Sequence, residues 1–445
     1  MIKEFEIKDA QKLADMFNAS DEGWPGGFTH GMPITAEMVV EERKKENALS
    51  TLVAWDADEI VGIIELTEFW RDTNILYVAF LNVVPSRQGK GYGRDLLKAC
   101  VQKSTELKGK RLDLHTWSGN MKAVPVYKKT GFFWVPKTLV HMKNFIPLIM
   151  NVEAAKPYFE KHDWYQTFKR EIRVEEDDLD GVFPYFWEED DDILSVVIDA
   201  ESGGIAEFEN SSFSVSQKAG DAFAGNPAKL EWNLKNKTDT PLKVNLVSRG
   251  EKGIQIEKRE SLILEKEYET IGEALVDPDI EIRGKEEPPH MVTTDIVIEG
   301  VSLSLVSGLR VKRPIEVSSY PEHLFLPRGK HEIPIILKNN QKKRVESVIT
   351  CQNTGETHTF SIEPEYTEAV QFTIDAAEEG DLQFVIDGIP FVYTLPVRVL
   401  EGANVMQKEK EVILENSHFR LVVSLLGGET SILDKRTGEF LSKYM

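Results

Sequence analysis

The sequence predicts a multidomain chain, with a mixed α/β domain at the N-terminus followed by two all-β sandwich modules. Three observations predict it. The 445 residues exceed what one hydrophobic core serves, and domains of roughly 150 residues leave room for about three. Strand and helix patterns alternate up to about residue 145. From about residue 203 strict period-two alternation takes over, with no helical pattern.

Composition supports a folded chain: 41% apolar residues, 9% aromatics and 20 spread prolines argue against disorder or low-complexity sequence. Of 53 Lys/Arg and 74 Asp/Glu, residues 1–150 hold 20 and 19, so the net charge of −21 arises wholly after residue 150. Such an acidic chain repels polyphosphate, which argues against nucleic-acid and anionic-membrane partners. Cys100 and Cys351 are too few and too distant for a disulfide framework and match no zinc spacing, so buried or inert thiols are expected. The opening Met1 to Asp9 has no apolar signal core, and no run reaches the ~18 apolar residues of a membrane span. The reading is a cytoplasmic protein.

In the N-terminal part, Ile2 to Ile7 reads as a strand, and a helix follows with Leu13, Met16 and Phe17 on one face. The glycine-rich loop Asp21 to Phe28 leads to a helix through Met38 and Val39. Strands at Thr51 to Trp55 and Ile60 to Leu66 are joined by a polar turn, and the most apolar strand, Ile75 to Val84, ends at Pro85. Residues 151–202 read as a connector: an aromatic-rich helical stretch (Tyr158, Phe159, Trp164, Tyr165, Phe168), then the acidic runs Glu175 to Asp180 and Glu188 to Asp192. Glu176, Asp178, Asp180 and Gly181 mimic the first half of a calcium loop, but Trp187 stands where a bidentate Glu is needed, so a solvated linker is the better reading.

Beyond the connector, Leu230, Trp232 and Leu234 alternate with polar residues, as do Leu242, Val244 and Leu246, and Val301, Leu303 and Leu305. The region repeats: Leu234-Lys235-Asn236 returns as Leu337-Lys338-Asn339, and Val297-Ile298-Glu299-Gly300 as Val385-Ile386-Asp387-Gly388. Two consecutive sandwich modules follow from this, 203–317 and 318–402, with a tight turn at each Gly and a strand tail at 403–445.

The chemistry concentrates in Gln88-Gly89-Lys90-Gly91-Tyr92-Gly93, between the apolar strand and a helix with Leu96, Leu97, Cys100 and Val101 on one face. Glycines let the backbone approach a ligand closely, and a helix N-terminus adds positive dipole, which together form a pyrophosphate cradle. Arg87, Lys90 and Arg94 add charge around it. Neither the dinucleotide G-x-G-x-x-G pattern nor a P-loop is met. Further on lie the strand Leu112 to Trp117 and then Asn120, Ala123, Tyr127 and Gly131-Phe132. Gln-x-x-Gly-x-Gly with this later Asn, Ala, Tyr and Gly-Phe resembles the GNAT superfamily of acetyl-CoA-dependent N-acetyltransferases, over residues 1 to about 145.

The resemblance implies a twisted mixed sheet flanked by helices, with acetyl-CoA as co-substrate and no metal. The strand end at Asn82, Val83 and Val84 is then expected to bulge or splay and to offer backbone N–H groups to pantetheine and the thioester carbonyl. Backbone from Gln88 through Gly89, Lys90, Gly91, Tyr92 and Gly93 would hold the pyrophosphate, with Asn120 in the second motif. Tyr127 stands where the family usually keeps a phenol beside the CoA sulfur, suited to protonate the leaving thiolate. Glu65 and Glu68 lie on the strand where the family often places a carboxylate; three apart, they face opposite sides of a regular strand, and Glu65 is favoured as the base. Trp24, Phe28, His115 and Trp117 are candidates to line the acceptor pocket.

The expected function is direct acetyl transfer to a primary amine, for which a small molecule, an amino sugar and a protein terminus all fit and nucleic acid is disfavoured, from a chain compatible with a homodimer. The alternative is a non-catalytic scaffold in which the first domain senses acyl-CoA and the sandwiches bind carbohydrate or protein. In the tail, Glu415 to Leu421, Gly427-Gly428 and Ile432 to Gly438 resemble the start of the β supersandwich of sugar-processing enzymes, over about thirty residues without a catalytic one.

Overall fold

The computed structural model describes residues 1–445 except 22–28, 30, 46, 70–71, 118, 178, 286, 321–323, 401, 403, 426–429 and 444–445. The chain forms two compact units, one of Met1–Asp221, Ala228–Leu275 and Arg283–Arg310, the other of Ala222–Pro227, Val276–Ile282 and Val311–Met445. Among the described residues no helix is long and apolar enough to cross a membrane.

The first unit opens with seven strands, β1 (Ile2–Glu4), β2 (Ser50–Asp56), β3 (Glu59–Phe69), β4 (Asp72–Val83), β5 (Arg111–His115), β6 (Phe133–Trp134) and β7 (His141–Asn144), in the order β1-β2-β3-β4-β5-β7-β6. Only β4 and β5 run parallel; the other neighbours are antiparallel. Helix α1 (Ala10–Asn18) buries Leu13, Ala14, Met16 and Phe17, the apolar face read from its periodicity. Helix α2 (Ala36–Lys45) starts at Thr35, whose Oγ1 accepts the Met38 N–H at 3.3 Å, and buries Val39. Helix α3 (Tyr92–Glu106) buries Leu96, Leu97, Cys100 and Val101 and packs on β3, so closely that a Cβ on Gly62 would lie 3.1 Å from Leu96 Cδ1. Shorter helices α4 (Val124–Lys129), α5 (Ile146–Met150) and α6 (Lys156–Lys161) follow. Cys100 and Cys351 are free and buried, as their spacing implied.

The connector reading needs correction. Of the aromatic-rich stretch only Lys156–Lys161 is helical, and strands begin at residue 182 rather than 203: β8 (Val182–Glu189) and β9 (Asp192–Asp199) form a hairpin whose tip is the acidic run. Asp190 turns the chain there with φ of 51°. Solvated acidic residues at 188–192 mask a strand pair whose other faces are apolar, since Phe183, Tyr185 and Trp187 alternate inward against Leu194, Val196 and Ile198. These strands continue through β10 (Ile205–Asn210) and β11 (Phe213–Ala219) into a seven-stranded sheet completed by strands at Pro227–Asn236, Glu267–Val276 and Ile254–Gln255. A second sheet of Lys258–Leu264, Leu242–Gly250, His290–Ile298 and Val301–Leu309 faces it. Buried polar groups tie the two sheets: Trp232 Nε1 donates to Gln217 Oε1 at 2.8 Å and to Thr294 Oγ1 at 3.1 Å, and Gln217 Nε2 donates to the Val292 carbonyl and Ser307 Oγ.

Within the second unit, a three-stranded sheet of Ile315–Ser319, Lys330–Asn339 and Thr367–Asp375 is accompanied by a five-stranded sheet. The tail is a five-stranded antiparallel meander from Asn404–Gln407 to Glu439–Lys443. Its sugar-enzyme-like motif residues build turns. Asn416 Oδ1 accepts the N–H groups of His418 and Phe419, and hydrogen bonds from Arg436 hold the Asp434 carboxyl down to about 2. Gly427 and Gly428 lie outside the described residues.

The internal repeat is matched atom for atom at one position. Asn236 and Asn339 each end a ten-residue strand and stay buried. Asn236 Nδ2 donates to the carbonyls of Thr240, Leu264 and Glu265 at 2.7, 3.1 and 3.0 Å; Asn339 Nδ2 donates to those of Lys343, Ile362 and Glu363 at 2.8, 3.1 and 3.2 Å. Each amide closes one loop and pins a strand end, and without it three carbonyls lose a donor. Substituting either with Ala is expected to destabilise its own unit by about 2 kcal/mol. All eight tryptophans lie at or before Trp232. Denaturation followed by tryptophan emission is therefore expected to register Asn236→Ala and not Asn339→Ala, while circular dichroism registers both.

Candidate active site

The site is built where β4 and β5 part. They pair over Ile75, Leu76 and Tyr77 against Arg111, Leu112 and Asp113, after which β4 continues to Val83 with only β3 beside it. The register of β4 on β3 slips between Glu65 and Leu66, whose partners are Phe80 and Val78, so Ala79 is a bulge. The splay expected of this strand end is present, while the bulge falls at Ala79, ahead of Asn82 to Val84.

Their consequences differ for the three backbone positions predicted to serve the cofactor. The Val84 N–H donates to the Val61 carbonyl at 3.0 Å, so it is taken up by β3 and is no donor to a ligand. Alternation along the strand then turns Val83 to the unpaired side. There its carbonyl accepts Gln88 Nε2 at 3.1 Å, which ties the glycine turn to the strand end. Asn82 is buried and its Nδ2 donates to Ser20 Oγ at 2.8 Å, anchoring β4 to the end of α1.

Residues 85–87 form a short 3-10 turn, and Gly89 and Gly91 take φ of 77° and 92°. Gly91 is the N-cap of α3, with no side-chain cap on the first-turn amides. A left-handed N-cap that leaves these donors to an outside acceptor is what a phosphate cradle requires. Lys90 is exposed beside it, and Tyr92 and Gly93 open the helix half-buried. Asn120, by contrast, works locally: its Nδ2 donates to Thr116 Oγ1 at 2.8 Å and its carbonyl accepts the N–H groups of Ala123 and Val124 at the start of α4.

Tyr127 lies on α4, its ring 8% exposed and edge-on to Phe132 at 6.2 Å. Burial pushes its phenol up to about 12, and the hydroxyl makes no hydrogen bond among the described residues. A protonated phenol without a fixed partner can give up its proton to a strong base brought to it.

A cavity of about 420 Å³ opens at the bulge, lined by Asn47, Ala48, Glu65, Thr67, Glu68, Phe69, Thr73 and Ala79. Glu65 and Glu68 are both among its lining residues, whereas a regular strand was expected to turn them to opposite sides. Glu65 is buried and ion-paired with Arg43 of α2. Burial raises its carboxyl above the ordinary value of 4.5 and the Arg43 charge opposes the rise.

His115 and Trp117 stand at the end of β5 with their outer faces in solvent, Trp117 52% exposed. Trp24 and Phe28 lie outside the described residues. The structure surrounds His115 with groups that sequence reasoning missed. His115 Nδ1 is 3.3 Å from Tyr77 Oη, and its ring stacks on His141 at 4.3 Å with a 9° interplanar angle. His141 Nε2 lies 2.9 Å from Asp113 Oδ2, and Arg111 grips the same carboxylate at 2.6 and 2.8 Å. A signal existed in the alternation of Arg111, Asp113 and His115 with Leu112 and Leu114 along β5. His141 had none, because its facing depends on β7 pairing with β5. Among the described residues no group of His, Cys, Asp or Glu is arranged to hold a metal ion.

Residues 13–132 match the model of the Acetyltransferase (GNAT) family. Solved structures similar to this chain include a GNAT-family acetyltransferase from Streptococcus pneumoniae (22% identity, TM-score 0.28), aligned over 32% of this chain and 97% of that one. A Brucella melitensis GNAT acetyltransferase in complex with acetyl-CoA aligns at 17% identity and TM-score 0.26 over 32% of this chain and 85% of its own. The PaiA N-acetyltransferase of Thermoplasma acidophilum in complex with coenzyme A aligns at 18% and 0.26 over 33% and 98%. No curated protein matches the chain. Residues 13–132 therefore form an acetyltransferase domain of the GNAT family, carried on a chain whose remainder is largely β-sandwich.

The Arg43–Glu65 pair gives a test of the cavity's electrostatics. Removing Arg43 leaves a buried carboxylate without its counter-charge, a loss of roughly 3 kcal/mol. The folded-state pKa of Glu65 lies above its unfolded value, so the folded state binds the extra proton and this site's contribution to stability falls as pH rises above about 4.5. Arg43→Met raises that pKa further. Its deficit in chemical denaturation is expected to be largest near pH 8 and to shrink towards pH 4; a pH-independent deficit would show that packing alone was lost.

Proposed function

We propose that the protein transfers the acetyl group of acetyl-CoA directly to a primary amine. The observation that carries this reading is the parting of β4 from β5 next to the left-handed Gly89–Gly91 turn and the uncapped start of α3. A pantetheine chain laid along the open edge of β4 would meet the backbone of Val83. The pyrophosphate would meet the amides from Gln88 to Gly93, with Lys90 adding charge. The thioester carbonyl would be polarised by a backbone N–H of the open edge, and Tyr127 would protonate the departing thiolate.

The cavity at Ala79 supports a small acceptor. Its volume of about 420 Å³ fits a small molecule, and the carboxylates of Glu65 and Glu68 favour an amine that arrives as an ammonium. Glu65, held by Arg43, is the fixed charge of that pocket, with Glu68 at the rim and Trp117 beside the end of β5.

Two measurements test the reading. Gly91→Val places a β-branched side chain at φ of 92° and a Cβ 2.8 Å from Arg94 Nη2. It is expected to weaken acetyl-CoA binding at least about tenfold by calorimetry. Unchanged affinity would remove the turn from the site. Tyr127→Phe keeps the buried ring and removes the proton, so kcat for CoA release with an amine that the wild-type chain acetylates is expected to fall roughly 10²-fold while acetyl-CoA affinity holds. Equal turnover would make Tyr127 a packing residue.

A further inference from the structure

We infer that His115 takes the proton from the acceptor ammonium, with His141 and Asp113 as positioning residues behind it. The inference rests on the acetyl-transfer reading and replaces Glu65 as the base. Glu65 is not free to reach the ammonium, because its carboxylate is engaged by Arg43 and both side chains are only 10% exposed. Protonating it would leave a buried guanidinium without its counter-charge.

His115 has the opposite situation. It lies two residues beyond Asp113, the last residue of β5 to pair with β4, and so at the mouth of the gap. Phe69, which lines the acceptor cavity, packs at 5.9 Å on Tyr77, whose hydroxyl reaches His115 Nδ1. The cavity wall therefore leads to this imidazole. Nδ1 faces Tyr77, and Nε2 has no partner among the described residues, on a residue open to solvent.

Behind it, His141 is stacked face to face on His115, and Asp113 is fully buried on β5. Burial opposes ionisation of Asp113, but the hydrogen bond from His141 and the Arg111 guanidinium outweigh it and hold the carboxyl below its usual range. The site thus contains a permanent negative charge in a dry strand interior, with two parallel imidazoles between it and solvent. Two imidazoliums at 4.3 Å would repel each other, so the pair is built to carry one proton. The other charged group on this face is Lys143 of β7, whose ammonium burial and Arg111 push down to about 8, with Glu201 acting on it in turn. Burial and the neighbouring His141 lower the proton affinity of His115, which keeps it neutral and able to accept.

In the reaction, the ammonium gives one proton to His115 Nε2, directly or through one water. The freed lone pair forms the C–N bond at the thioester carbonyl, and the C–S bond breaks. The thiolate takes the Tyr127 proton, the phenolate recovers the second proton of the nitrogen, and the imidazolium releases its proton to water. Amide, free thiol and one proton are the products.

The test is kcat/KM for CoA release against pH, with an amine that the wild-type chain acetylates, in the 445-residue chain and its H115N, H141N and D113N variants. Imidazole C2–H NMR titrations of the same proteins run in parallel. The wild type is expected to lose activity on the acid side with the pKa of His115. H115N is expected to lose roughly 10²-fold and the acid limb with it. H141N removes the neighbouring imidazole, so the limb and the His115 titration are expected to move to higher pH; D113N removes the buried negative charge and is expected to move both to lower pH. Opposite shifts are not produced by general structural damage. If D113N fails to fold, H141N decides, and an absent or downward shift overturns the inference. An acid limb that survives in H115N overturns the relay and leaves acetyl transfer standing. A wild-type chain that binds acetyl-CoA and releases no CoA to any amine overturns acetyl transfer, and the relay falls with it.

Discussion

Parallel pairing of β4 with β5 lasts three residues, and the placement of the site's groups follows from where it stops. Had the ladder continued, the N–H and C=O groups of the β4 end would be consumed by β5, as the Val84 N–H is consumed by β3. Because it stops, one edge of the strand from Val78 onward is left for a ligand. The chain reaches this edge without strain, since the extra residue at Ala79 re-aims β4 and the Gly89 and Gly91 turn brings α3 to the strand end. Asp113 lies at the last paired position, which is why a fully buried carboxylate and an exposed imidazole sit two residues apart on β5.

The same unit ties α4 to the β-sandwich strands that follow. Tyr185 of β8 accepts the Phe145 N–H at 2.8 Å and donates to the Gly131 carbonyl at 3.1 Å, and its ring packs on Phe133 at 5.1 Å. Asp177 receives Lys128 and Arg170 side chains and the Trp134 N–H at 3.0, 2.6 and 2.7 Å. Lys128, with no exposed side-chain surface, is the residue after Tyr127, so the proposed proton donor is held by a helix whose own lysine is pinned by the connector. What composition marks as an acidic linker is thus, at Asp177, a structural counter-ion, and the sandwich strand β8 completes the aromatic core beside β6.

Much of this was legible in the sequence where local chemistry sets the answer. Alternation located the sandwich strands around Trp232, and the glycine turn and its helix stand where Gln88 to Gly93 placed them. Repeated Leu-Lys-Asn triplets marked a shared strand end because an Asn that serves three carbonyls has few substitutes. What stayed hidden depends on distant pairing. The β8–β9 hairpin was obscured by charge at its tip, since solvated turn residues and a disordered linker share a composition. His141 became a neighbour of His115 only through the antiparallel register of β7 on β5, and Arg43 reached Glu65 only through the packing of α2.

Two buried carboxylate–arginine pairs in the domain show how similar chemistry is put to different ends. Asp113 and Arg111 share a strand and a two-residue spacing, so their contact is fixed by backbone geometry and Asp113 stays ionised. Its negative charge is available to whatever proton sits on the two imidazoles in front of it. Glu65 and Arg43 come from a strand and a helix, and their contact depends on α2 holding its place over the cavity. Burial already lifts the Glu65 carboxyl, so displacement of Arg43 would favour its protonation and remove the pocket's fixed charge. The first pair is suited to managing a proton. The second holds a carboxylate at the cavity wall only as long as α2 keeps Arg43 in place.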